Sequence, residues 1–81
     1  MKIKPEHLEH MRAAIAPLLA KHPEAPAQYK AAGLTPERYR WDVLHAAGLT
    51  PWICKNLYSY LNDSHVDTAL RAIMPEDGRI E

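Results

Sequence analysis

Ala31-Ala32-Gly33-Leu34-Thr35-Pro36 returns fifteen residues later as Ala46-Ala47-Gly48-Leu49-Thr50-Pro51, and this doubled string decides the fold. Each copy is spelled like a junction between two helices. Gly takes the left-handed position that ends one helix. Leu is expected to pack down at the corner. Thr offers its hydroxyl as a cap for the next helix, and Pro fits the first turn because its absent N–H would have no helical partner there. Two copies make a repeated junction. A solenoid needs at least three units of longer period.

Working outward, the junctions imply a short helix ending at Ala32, a helix from about Pro36 to Ala47 and another from about Pro51 to Leu61. Upstream, Leu8, Met11, Ile15 and Leu18 recur at helical spacing behind Pro5, with Leu19 beside them, so a first helix starts at Pro5. Pro17 interrupts that pattern and is expected to kink or restart the helix. His22-Pro23-Glu24-Ala25-Pro26 reads as a break. Downstream, Asn62-Asp63-Ser64 is a turn with Asp63 or Ser64 as cap, and a last helix runs from about His65 to Met74, stopped by Pro75. No alternating β-branched or aromatic run suggests a strand, and phenylalanine is absent. The expected fold is all-α: a compact bundle of four to five short helices joined by Gly-Leu-Thr-Pro corners. Residues 1–75 form a single domain, with a solvated tail at 76–81.

The 81 residues allow one thin core and little room for a deep cleft, since a chain this short buries only about 60% of its unfolded surface. Ten basic and ten acidic side chains cancel, so no charge excess marks a nucleic-acid or membrane partner. The single cysteine, Cys54, excludes an intramolecular disulfide and fits a reducing compartment. The polar opening Met1-Lys2-Ile3-Lys4-Pro5 lacks the apolar stretch of a signal peptide, and no run approaches the ~20 residues that span a bilayer. A cytoplasmic protein without a membrane partner is expected.

Chemistry is sparsely spelled. His7 and His10 share a face near Glu6, but metal ligation needs three or four convergent donors, so surface histidines and no metal are expected. Cys54 falls beside the apolar arc of its helix, where a thiol behaves as a small hydrophobe. There is no phosphate loop, nucleophile elbow or recognisable carboxylate pair, so no catalytic residue, cofactor or enzymatic activity is expected.

Two surfaces stand out. On the 51–61 helix, Ile53, Leu57, Tyr60 and Leu61 form an apolar arc, while Lys55, Asn56 and Ser59 lie opposite with Trp52 among them. A large aromatic on a polar face can anchor a protein partner, which makes Trp52, Lys55, Asn56 and Ser59 the partner-binding candidates. Trp52 folding back over the Gly48-Leu49 corner is the competing reading. The alternative function is a helix-turn-helix spanning Trp41 to Tyr60, with 51–61 as recognition helix. Its DNA-facing residues are then Thr50, Lys55 and Asn56, with Arg38 and Arg40 from the preceding helix. Arg40 interrupts an apolar arc of Tyr39, Val43, Leu44 and Ala47. It either lays its stem on the core with its head in water or meets a carboxylate. Bulky Leu44, Pro51 and Trp52 depart from the usual pattern of such motifs.

The string Arg38-Tyr39-Arg40-Trp41-Asp42-Val43-Leu44-His45-Ala46-Ala47-Gly48-Leu49, the segments Leu57-Tyr58-Ser59-Tyr60 and Asn62 to Leu70, and the opening Met1 to His7 together resemble a family of short, uncharacterised proteins of bacteriophages and prophages of enteric bacteria. The likeness covers nearly the whole chain and carries no catalytic residues. It implies a small accessory protein made in a bacterial cell. The expected role is a non-enzymatic interaction module acting on a host or phage macromolecule, most simply a protein, with DNA as the alternative and homodimerisation open.

Overall fold

The computed structural model describes residues 2–74, which form α1 (Pro5–Lys21), α2 (Ala25–Ala31), α3 (Pro36–Ala46), α4 (Thr50–Asn56) and α5 (Asp63–Ile73). The fold is all-α, with no strand among the described residues, and α3 packs against α1, α2 and α5. The radius of gyration is 12.2 Å, near the about 12 Å of a compact chain of this length. No helix among the described residues is long and apolar enough to cross a membrane. The expectations for Pro75 and for the tail at 76–81 lie outside the described residues.

The core is assembled from α1, α3, α4 and α5 and the connections between them. Met11, Ile15 and Leu19 come from α1, Tyr39 and Leu44 from α3, and Ile53 from α4. Leu49, Leu57 and Leu61 join from the connections, and Val66, Leu70 and Ile73 from α5. Each fully buried aliphatic side chain contributes about 1.5–3 kcal/mol relative to exposure. Leu8 and Leu18, expected on the α1 stripe, are only half-buried. The stripe follows four-residue steps through Leu19 instead.

Helix α1 runs unbroken through Pro17. The proline removes the N–H that would bond the carbonyl of Ala13, and Ala13 is exposed, so water can take its place.

Both glycines adopt the left-handed conformation that the doubled string requires, Gly33 at φ 78° and Gly48 at φ 72°. The two corners then diverge. Thr35 has extended backbone, and its Oγ1 accepts from the Arg38 N–H at 3.1 Å, as a cap should. At the second corner Leu49 already has helical backbone, so Thr50 lies inside α4 and caps nothing; its hydroxyl instead pairs with His45 Nδ1 at 2.6 Å. The leucines part as well. Leu49 is buried at 2% exposure, whereas Leu34, expected to pack down, is 40% exposed.

The fourth helix stops at Asn56, five residues short of the expected Leu61. Two polar side chains compete with the helical ladder there. Asn56 Nδ2 donates to the Trp52 carbonyl at 2.9 Å, and Ser59 Oγ donates to the Asn56 carbonyl at 3.4 Å. The Tyr58 N–H reaches back to the Ile53 carbonyl at 3.1 Å, and the Tyr60 N–H bonds Leu57 instead of Asn56. The last helix is capped by Asn62, not by Asp63 or Ser64. The His65 N–H donates to Asn62 Oδ1 at 3.1 Å, and the Asn62 N–H donates to His65 Nδ1 at 3.3 Å.

Candidate interaction surfaces

The candidates on α4 are not a uniform exposed face. Trp52 is half-buried and packs against the core. It lies against α1. The His10 ring stacks on it at 4.3 Å with planes 21° apart, and His7 meets it edge-on at 5.5 Å. His7 Nδ1 also shares a 2.8 Å hydrogen bond with the Tyr60 hydroxyl, which accepts from the Lys4 N–H at 3.1 Å. The two histidines expected to be mere surface residues thus tie the start of α1 to α4. Asn56 is half-buried, with its amide turned onto its own helix. Lys55 and Ser59 remain exposed. Cys54, expected beside the apolar arc of its helix, is exposed too.

The DNA-facing set is dispersed. Arg40 is buried at 3% exposure, so its guanidinium cannot meet a phosphate; the expectation that it faces DNA is corrected. Its Nη2 lies 3.6 Å from Asp67, and its Nε has no partner among the described residues. Asp67 has only 18% of its side chain exposed. It accepts from Trp41 Nε1 at 3.3 Å and pairs with Arg71 Nε at 3.2 Å, pinning α5 to α3. Arg38 is exposed but bonded to Asp42 at 3.2 Å, and Thr50 is held by His45. Of the five, Lys55 alone is both exposed and without an ion pair among the described residues.

A further concave surface lies elsewhere. A cleft of about 550 Å³ separates α2 from the start of α3, lined by Pro26, Tyr29, Lys30, Leu34, Pro36 and Tyr39 among others. Helix α2 buries no residue completely, and only Ala25 and Tyr29 pack from it against the core, with this groove beside it. Tyr29 holds it in place. Its ring meets Tyr39 edge-to-face at 5.2 Å, and its hydroxyl donates to Asp42 Oδ2 at 2.7 Å. That hydrogen bond first, then partial burial, raises the phenol pKa, because ionisation would set two anions side by side. Burial alone raises the pKa of Tyr39.

A second, open depression on the other side of α3 holds Glu37, Trp41, Asp63, Ser64 and Asp67. Beside it, Tyr58 donates its hydroxyl to Asp63, and partial burial followed by this bond lifts the phenol to about 12. No group of three or more His, Cys, Asp or Glu side chains that could hold a metal occurs among the described residues.

None of the α2–α3 groove residues stood among the sequence candidates. The only signal was the echo itself, since a corner leucine and two prolines next to Tyr29 could have been read as a surface as readily as a junction. No protein family, characterised protein or solved structure matches this chain.

Proposed function

We propose that this chain is a small non-enzymatic interaction module, of the accessory kind implied by its resemblance to phage and prophage proteins, and that it engages a partner protein through the α2–α3 groove. The observation that carries the reading is Leu34. Its sequence twin Leu49 is in the core, while Leu34 is left 40% exposed among the residues that line this largely apolar cleft. An exposed apolar side chain beside a concave surface held in shape by an edge-to-face aromatic pair is what a docking partner uses. The chemically capable side chains support the same view, being engaged with one another: His7 with Tyr60, His45 with Thr50, and Asp67 with Arg40.

The test compares partners retained from a bacterial lysate by the parent chain, by Leu34→Ala and by Lys55→Ala, with melting curves as the control for folding. Loss of binding in Leu34→Ala at unchanged melting temperature is expected. If Lys55→Ala loses its partners and Leu34→Ala keeps them, the α4 face of Lys55 and Ser59 is the interface and the groove is not.

The helix-turn-helix reading retains the Gly48 corner and the exposed Lys55. A seven-residue α4 whose one cation is Lys55 makes it the weaker proposal. Binding to duplex DNA that falls steeply with salt would restore it.

A further inference from the structure

We infer that the α2–α3 groove takes an acidic, amphipathic segment of a partner protein, with an apolar side chain lodged against Leu34 and Tyr29 and a carboxylate meeting Lys30; this rests on the groove being the interaction surface. The argument is charge complementarity. Lys30 is the one charged side chain lining the groove, and it makes no ion pair among the described residues. No carboxylate lines the cleft. Asp42 is turned onto the Tyr29 hydroxyl and Arg38 Nε, and Glu37 faces the depression on the opposite side of α3 with Trp41.

Of the acidic side chains of α3, Asp42 is thus already engaged by Tyr29 and Arg38, and Glu37 faces the opposite side of the helix. A basic segment would meet Lys30 with no compensating anion, and like charges facing across an interface disfavour the wrong partner. The remaining lining is apolar or hydroxyl-bearing, so an apolar anchor supplies most of the affinity and the carboxylate supplies the selection. Lys30 is exposed, so its contribution is a rim contribution, modest and sensitive to salt.

The experiment selects short random peptides displayed on a particle surface, in parallel on the parent chain and on Lys30→Glu. The enriched peptides are then titrated by fluorescence anisotropy against the parent, Lys30→Glu and Leu34→Ala. The expected consensus on the parent is an apolar residue flanked by Asp or Glu. Those peptides should bind Lys30→Glu about three- to tenfold more weakly, a loss that shrinks as salt rises, and should lose binding to Leu34→Ala. Peptides that need Leu34 but show no acidic bias and ignore Lys30→Glu would overturn the inference and leave the groove standing as an interface. Peptides that bind Leu34→Ala as well as the parent, or no enrichment at all, would overturn both. Dimerisation in sedimentation that Leu34→Ala abolishes would make a second copy of this chain the occupant, and would also overturn it.

Discussion

Asp67 serves three donors at once, and its neighbours show what a buried charge does in so small a core. Arg40 is 4% exposed on its side chain and depends on Asp67 for compensation. Removing one partner of a buried pair strands the other. Asp67→Ala is therefore expected to destabilise the fold by about 3 kcal/mol, read from urea unfolding. Arg40→Met should cost little, because it removes the desolvated charge itself, and the double variant should recover most of the loss. A double variant as unstable as Asp67→Ala alone would contradict the assignment. Tyr58 gives the residue scale its pH dependence. Its phenol is raised from an ordinary value of 10.0 to about 12, and Tyr29 and Tyr39 shift the same way. A proton held more tightly in the folded chain stabilises the fold fully below the unfolded pKa, and that stability is lost as pH rises through the folded one. Unfolding midpoints should hold steady to about pH 10 and fall between about 10 and 12. Tyr58→Phe should fall less steeply over that window.

Among the elements, the twin corners separate what the sequence spells from what the chain does with it. Glycine at φ 78° and 72° was legible, because only a residue without Cβ reaches that region cheaply. Gly33→Ala and Gly48→Ala should each cost about 1 kcal/mol. The threonines were not separable from the string alone. Thr35 caps and Thr50 does not, because the residue before Thr50 is already helical. Thr35→Ala should cost about 1 kcal/mol and Thr50→Ala less, the difference measured in parallel denaturant titrations. The end of α4 was hidden for a related reason. The apolar arc of Ile53, Leu57 and Leu61 does continue into the core, so periodicity extends the helix past its true end. Local hydrogen bonds from Asn56 and Ser59 stop it, and those are invisible to a hydrophobic pattern. The N-cap of α5 was misplaced by one or two residues among three adjacent capping types, a choice the His65 ring settles by completing the capping box with Asn62.

At the scale of the whole molecule, the all-α architecture followed from composition and punctuation, whereas the surface did not. Which leucine is buried depends on how five short helices share one core, and no local rule decides it. Trp52 makes the same point in reverse. Read either as an exposed anchor or as a ring folded back on the protein, it is half-buried and meets His7 and His10 of α1. Trp52→Ala should therefore lower stability by about 2 kcal/mol, against a total on the order of 5–15 kcal/mol for a domain.

The most direct test of the central claim, that two identical corners have separate jobs, is a paired comparison of Leu34→Ala and Leu49→Ala by urea unfolding together with partner binding. Leu49→Ala is expected to cost about 2–5 kcal/mol, whereas Leu34→Ala unfolds like the parent and loses its partner. Equal destabilisation by both substitutions would contradict the account, since it would make Leu34 a core residue and leave the groove without its anchor.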